Sequence, residues 1–362
     1  MSKTLPQRVS LASETARVLR EQIEAGEWPA LLPGERDLCA RLRVSRPTLR
    51  AALKMLRQSG WVEAPQQGRR CSIRESAAEE NSRTVPASNR VVLLTPTPIH
   101  RLPPFFLFWL NEVRQQLAEQ GFELDARVSH AADLQRPEQL LERTVAEARA
   151  AAWILFTSTE PMQRWFSARR LPCMITGSSF ANVELPSVDV DQHATSRHAA
   201  GLLIARGHRR LALLAPAAST AGEQASEAGF LEGCRRPGGD VTARVIRHDQ
   251  SVEDICRKVD RLLGAPHPTT GLLVGRSAHA LTVHTHLLRR GLRLPADVSL
   301  IARDDDSYLD FVVPRLARYA CPPATFARHV SRILVQLAKS GSVPPRKTLL
   351  MPDFLKGETL SD

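Results

Sequence analysis

The chain has 362 residues, enough for two or three domains at roughly 100–200 residues each. Its hydrophobic content of 43% is ample for ordinary cores. No apolar run approaches the roughly 18 residues of a membrane span, and the opening MSKTLPQRVSLASE lacks the apolar core of an export signal, so a cytoplasmic protein with no membrane partner is expected. The net charge of +11 is unevenly spread: residues 1–74 hold 14 Lys/Arg against 7 Asp/Glu, leaving 35 against 31 for the other 288. An excess of cations in the first fifth or so of a chain is what neutralising phosphate requires. The six cysteines (Cys39, Cys71, Cys173, Cys234, Cys256 and Cys321) form no C-x-x-C pair and read as isolated reduced thiols. Histidines 193, 198, 208, 279, 284 and 286 include i,i+5 and i,i+2 spacings that share no helix face, so neither a metal site nor a cofactor is expected.

In chain order, Val9, Ala12, Ala16, Leu19 and Ile23 make one apolar stripe, predicting a helix over residues 9–25 that Gly26 stops. Residues 34–42 carry Leu38, Cys39 and Leu42 on one side, enough for a two-turn helix. After the turn at Val44-Ser45, Ser45 is suited to cap the next helix, because its hydroxyl can accept an orphan backbone N–H. Pro47 falls in the first turn, where a missing N–H costs nothing. Leu49, Ala52, Leu53 and Leu56 then give one buried face, and Gly60 ends the helix. Arg46, Thr48, Arg50 and Lys54 remain on its outside. A short helix, a turn, and a second helix with basic and hydroxyl residues at its leading end is a major-groove reader. Arginine can grip guanine O6/N7 or phosphate, and Ser and Thr can do either. Residues 61–63 and 71–73 read as two short strands around the basic tip Gln66-Gln67-Gly68-Arg69-Arg70, a wing.

This segment resembles the winged helix-turn-helix of the GntR family. The resemblance rests on Leu32, Pro33, Glu35, Arg36 and Leu38, then Val44, Ser45, Arg46, Thr48, Leu49, Arg50, Ala52, Leu53, Leu56 and Gly60 in fixed register, with Gly34 departing from the family's Ser. It implies that Arg36, Arg46, Thr48 and Arg50 contact DNA, together with Ser45 and the wing residues Gln67, Gly68 and Arg69.

Residues 75–90 are polar and small, with Val85 the one larger apolar residue, and read as a linker. From residue 91 short apolar runs alternate with helical patterns. Strands are predicted at 91–94, 122–128, 152–156, 173–176, 211–214, 241–247, 271–274 and 298–301. Helices are predicted at 105–120, 137–149, 161–169, 194–206, 223–234, 252–263 and 278–290. This alternation argues for a parallel, doubly wound α/β sheet, with too many strands for one, hence two subdomains facing a cleft. The organisation expected is a winged helix-turn-helix over 1–74, a linker over 75–90, and an effector-binding and dimerisation body over 91–362.

The body is similar to the LacI/GalR effector domain. The matching residues are Val190-Asp191-Gln192, Leu202, the run Gly207-His208-Arg209-Arg210-Leu211-Ala212-Leu213-Leu214, Gly229-Phe230, Gly291-Leu292, Leu294-Pro295, Asp297-Val298-Ser299-Leu300-Ile301 and Pro314-Arg315-Leu316. The resemblance implies a periplasmic-binding-protein-like α/β fold that holds a sugar or purine. Its register places pocket positions at Thr95, Thr157, Gly177, Ser226, Arg276, Arg303 and Asp304. The family's acidic residue is replaced by Gly177 and its arginine by Ser226, while Arg276 and Arg303 are added. Added guanidinium prefers carboxylate or phosphate, so a sugar-like or anionic small molecule is expected. The alternative reading is that Arg276 pairs with Asp304 or Asp305 and leaves a tight or vestigial cleft. Phe105, Phe106, Phe108 and Trp109 open the body's first helix as core or cleft residues.

Head and body together predict a DNA-binding transcriptional regulator, expected to repress by binding a palindromic operator as a homodimer under effector control. A transport receptor would need an export signal. An enzyme would need a catalytic constellation or phosphate loop; Ser178-Ser179 sit in no G-x-S-x-G elbow, and none is found.

Overall fold

The computed structural model describes residues 11–24, 28, 31–58, 61–62, 71, 88–133, 136–217, 220–235 and 241–361. Chain contacts divide into two units, Met1–Val85 and Pro86–Asp362. The first holds α1 (Leu11–Glu24), α2 (Glu35–Leu42) and α3 (Arg46–Gln58). Ala16, Leu19 and Ile23 from α1, Leu38 from α2, and Leu49, Ala52, Leu53 and Leu56 from α3 share one core with Trp28, Leu32, Trp61 and Val62. Ser45 acts as expected: Thr48 N–H donates to its Oγ at 3.4 Å, and the two hydroxyls lie 2.8 Å apart. Of the wing, Leu32 N–H donates to Cys71 O at 2.9 Å. Gln67, Gly68 and Arg69, and nearly all of the expected linker, lie outside the described residues.

The second unit has two lobes, each a six-stranded sheet. Lobe 1 is ordered β11-β5-β4-β3-β1-β2, from β1 (Arg90–Thr95), β2 (Glu123–Val128), β3 (Ala152–Phe156), β4 (Cys173–Thr176), β5 (Ser187–Val190) and β11 (Lys347–Leu350). All its pairings are parallel. Val91 and Leu93 point to the face covered by α4 (Pro104–Ala118) and α11 (Pro323–Ser340). Val92 and Leu94 point to the opposite face, under α5 (Glu138–Ala148) and α6 (Glu160–Ala168). Burial on both faces is why the strand reads as an unbroken apolar run.

Lobe 2 is ordered β12-β10-β9-β8-β6-β7, from β6 (Arg210–Pro216), β7 (Thr242–His248), β8 (Gly271–Val274), β9 (Ser299–Ala302), β10 (Ala317–Ala320) and β12 (Asp353–Leu355). Only β12 runs antiparallel to its neighbour. Helices α7 (Gln192–Ala205) and α8 (Ala221–Cys234) cover one face, and α9 (Val252–Leu263) and α10 (Ser277–Arg289) the other.

The chain passes between lobes after β5, after β10 and after β11. At the first passage Asp191 caps α7, accepting from Ala194 N–H at 2.8 Å, while its own N–H donates to Leu350 O at 2.9 Å on the third passage. The Asp of the Val-Asp-Gln motif therefore ties two crossings together. Four elements that the sequence reading did not assign, β10, α11, β11 and β12, make up these returns. The strands are three or four residues long, and β11 and β12 lie at sheet edges with two residues of each exposed, so no clear apolar period marks them.

Candidate functional site

Two surfaces present chemistry, one in each unit. In the head, α3 carries no acidic residue, and Arg46, Arg50, Lys54 and Arg57 are exposed around its leading end and outer face. The unsatisfied N–H groups of a helix start add positive potential there. Arg36 and Arg46 make no ion pair among the described residues. Arg50 does: its Nε lies 3.0 Å from the Glu35 carboxylate on α2, with the guanidinium still two-thirds exposed. That tie orients Arg50 across the helix pair, and being exposed it is worth under about 1 kcal/mol. The head therefore places Arg36, Ser45, Arg46, Thr48 and Arg50 on or beside one exposed helix start.

In the body a cavity of about 270 Å³ lies where both sheets end. Its lobe-1 wall is aromatic. The Phe106 ring lies tilted against Phe156 at 4.2 Å and edge-on to Trp109 at 4.6 Å, and Trp109 lies tilted against Phe326 at 5.2 Å. Thr157 and Gly177, following β3 and β4, line it as expected. Gly177 takes φ +127°, which side-chain-bearing residues rarely adopt, and Thr157 sits at φ 51°, uncommon for a β-branched residue. Backbone strain of this kind collects at ligand sites.

The lobe-2 wall is charged. Arg303 Nη1 donates to Glu223 Oε2 at 3.0 Å and its Nε to Asp304 Oδ1 at 3.0 Å, with Arg303 and Glu223 each only 4% exposed. Burial alone would lower the Arg303 pKa, but the Asp304 and Glu223 carboxylates outweigh it and hold the guanidinium charged. Burial likewise works to raise Glu223, and Arg303 beside it brings the carboxyl below its ordinary value. Arg276 Nη2 lies 3.7 Å from Glu223 Oε1. Arg276, Arg303 and Asp304 all line the cavity, yet its carboxylates outnumber its guanidiniums: Asp189, Glu223, Asp304, Asp305 and Asp306 against those two. Arg303 therefore does not draw an anion as the sequence suggests, because its donors are already taken by carboxylates. Nor does Arg276 pair with Asp304 or Asp305; its partner is Glu223.

Two expected positions are elsewhere. Ser226 is fully buried between α7 and α8, its Oγ 2.7 Å from Ser196 Oγ. Thr95 is buried, and its hydroxyl donates to Thr97 O at 2.9 Å, closing its own loop. Neither lines the cavity.

The sequence reading missed Asp189, Glu223 and Asp306. Glu223 sits three residues after the α8 cap Thr220, the spacing of a capping box. Its carboxylate goes to Arg303 instead, which sequence spacing does not reveal. Asp306 joins the lobes. Helix α4 starts with Pro103-Pro104, so its first available N–H is that of Phe105, and this donates to Asp306 Oδ1 at 2.8 Å. Ser277 Oγ donates to Asp306 Oδ2 at 2.8 Å and accepts from Tyr308 OH at 2.8 Å. Asp306 thus caps a lobe-1 helix from lobe 2. Asp306→Ala should remove about 0.5–2 kcal/mol of closure, the worth of a cap. X-ray scattering of the ligand-free protein should then show a larger radius of gyration; an unchanged radius would mean the contact holds nothing shut.

Comparison with known proteins agrees with both units. Residues 11–71 match the bacterial regulatory proteins of the gntR family, and residues 200–360 match a periplasmic binding protein-like domain. The chain is 24% identical over 296 residues to the HTH-type transcriptional repressor CytR of Escherichia coli (strain K12), covering 81% of this chain and 82% of that protein. It is 25% identical over 240 residues to the HTH-type transcriptional regulator AglR of Rhizobium meliloti (strain 1021), covering 64% and 67%. Among solved structures it resembles the transcription regulator CcpA of Lactococcus lactis, with TM-score 0.64 and 17% identity over 76% of this chain and all of that one. A periplasmic binding protein/LacI transcriptional regulator from Alkaliphilus metalliredigens QYMF, complexed with D-xylulofuranose, is equally similar, with TM-score 0.64, 17% identity and the same coverage. The chain is therefore a DNA-binding transcriptional regulator, not an enzyme, that joins a GntR-family helix-turn-helix head to a periplasmic-binding-protein-like body.

Proposed function

We propose that this regulator is a cytoplasmic repressor that binds a palindromic operator as a homodimer, and that a small molecule in the body cavity changes its operator affinity. The head is taken as residues 1–74, the linker as 75–90 and the body as 91–362. The observation that carries the DNA reading is the acid-free, exposed start of α3, with Arg46 at its first position and Ser45 capping it. Arg36, Thr48 and Arg50 stand beside it; the further DNA contacts expected from the sequence, Gln67, Gly68 and Arg69, lie outside the described residues. Repression is supported by the name of the CytR relative, and an effector by the sugar in the Alkaliphilus structure. No described helix is long and apolar enough to cross a membrane, which fits the cytoplasmic reading. For the dimer reading, Phe311 and Val313, 87% and 80% exposed on the body, are the apolar side chains to test as contacts. Thr157, Gly177, Arg276, Arg303 and Asp304 are the effector contacts retained.

The test is a gel-shift of the whole protein on its own upstream DNA. Arg46→Ala should weaken specific binding by about 1–3 kcal/mol, roughly 5–150-fold, and relax preference at one base position if it reads a base. Equal weakening on all sequences would make Arg46 a phosphate contact. Unchanged binding would remove α3 from the interface.

A further inference from the structure

We propose that the body cavity is built for a compact arylalkylamine that also carries an oxygen acceptor, with Asp189 as counter-ion to its ammonium group. This rests on the effector reading above and names the ligand class.

The cavity's carboxylates differ in their partners. Glu223 and Asp304 are taken by Arg303, and Asp305 by Arg318. Asp306 is taken by neutral donors, in the cap that joins the lobes. Asp189 alone is left facing the cavity with no cation in ion-pair contact and no bond between lobes among the described residues; Arg303, already held by Glu223 and Asp304, acts on it only through the field. Its Oδ2 accepts from Ser178 Oγ at 2.6 Å and its Oδ1 from Val190 N–H at 2.8 Å. Each carboxylate oxygen has capacity for a further donor. An ammonium group is the donor that also brings a cation into contact with this partly buried carboxylate, whose only partners are a hydroxyl and a backbone N–H.

Two further observations define the other ends of the ligand. Phe106, Phe156, Trp109 and Phe326 supply a wall of ring faces and edges, against which a flat apolar group stacks and a cation is stabilised. Arg276 lines the cavity with its side chain 37% exposed, and among the described residues its guanidinium makes no hydrogen bond, only the 3.7 Å approach to Glu223. A ligand hydroxyl or carbonyl oxygen would accept from its exposed N–H groups, and a simple alkylammonium would not. An anion would satisfy Arg276 but would face Asp189; a neutral sugar would leave Asp189 uncancelled.

Burial pushes the Asp189 carboxyl up to about 6, with Ser178, Val190 N–H and Arg303 opposing and Asp304 adding to the rise. Asp189 must be ionised to hold an ammonium, so affinity for an amine should rise as the pH rises through about 6.

The experiment is calorimetric titration of the whole protein with phenylalaninol, with its deaminated analogue phenylpropanol, with hydrocinnamate and with ribose. Phenylalaninol should bind at least roughly tenfold more tightly than phenylpropanol, a difference of about 1.4 kcal/mol. Asp189→Asn should level the two while the unliganded protein still melts cooperatively. The proposal is overturned if hydrocinnamate or ribose binds most tightly, if the preference survives in Asp189→Asn, or if none of the four binds. Operator gel-shifts with the same compounds separate the two levels. Ribose or hydrocinnamate relieving the shift would sink the amine and keep effector control. Binding that never alters the shift would sink effector control.

Discussion

Arg303→Ala should lower the stability of the body by about 3–5 kcal/mol, the usual result of removing one partner from a buried ion pair. Arg303 lies at the end of β9 with 4% exposure, and it is the donor that compensates both Glu223 and Asp304. Its loss leaves Glu223, itself 4% exposed, with only the 3.7 Å approach of Arg276. The pH dependence separates this cause from simple loss of packing. In the native chain Glu223 has a depressed pKa, so it contributes stability above its unfolded value of 4.5 and loses it as the pH falls through the folded one. Without Arg303, burial raises the Glu223 pKa, and protonating the carboxyl removes the buried charge. The deficit measured by urea unfolding should therefore be largest near neutral pH and shrink on acidification. A deficit independent of pH would show that the guanidinium acts only as filler. Replacing Arg303 and Glu223 together by Met should recover most of the loss, since a well-packed apolar pair costs no desolvation of charge.

The same residue shows where sequence reading stops. The alternation of strands and helices was legible because the inner body strands are buried on two faces and read as apolar runs, and strands such as Cys173–Thr176 and Gly271–Val274 were bounded correctly. The head was more legible still: Ser45, Pro47 and the Leu49–Leu56 stripe are local signals with local causes. The cavity was not, because its chemistry depends on which charge meets which across the fold. Arg303 and Glu223 are 80 positions apart, and Phe105 and Asp306 are 201 apart. Register from a resemblance supplied Thr157, Gly177, Arg276, Arg303 and Asp304 as lining. It could not tell that Arg303 was already paired, that Ser226 faces Ser196, or that Asp189 is the carboxylate left over. A position in a motif gives an address; the sign of the local field comes from neighbours that the motif does not contain.

Gly229→Ala should be at least as damaging, although it adds one methyl group. Gly229 and Gly233 lie one turn apart on α8, on the side pressed against α7. A Cβ at Gly229 would stand 2.1 Å from the His193 carbonyl oxygen and 2.8 Å from its carbonyl carbon; one at Gly233 would stand 2.7 Å from Arg197 O. These neighbours are backbone, so no rotamer change makes room and the helices must separate. Overpacking costs about 1–3 kcal/mol in general and more where nothing yields, so a loss of about 3 kcal/mol or more is expected in urea unfolding. Gly201 on α7 is the control, because a Cβ there meets nothing within 4 Å. Gly201→Ala should be neutral or stabilising by up to about 1 kcal/mol, the helix propensity gained. Opposite signs at two helical glycines would tie the effect to helix spacing rather than to glycine itself; equal signs would refute that. The displacement should also reach the cavity, since the first turn of α8 carries Glu223 to Arg303. A shift of α8 that lengthens the 3.0 Å contact would add part of the Arg303→Ala penalty to its own. The Gly229→Ala deficit should accordingly acquire some of the same pH dependence, while Gly201→Ala should show none.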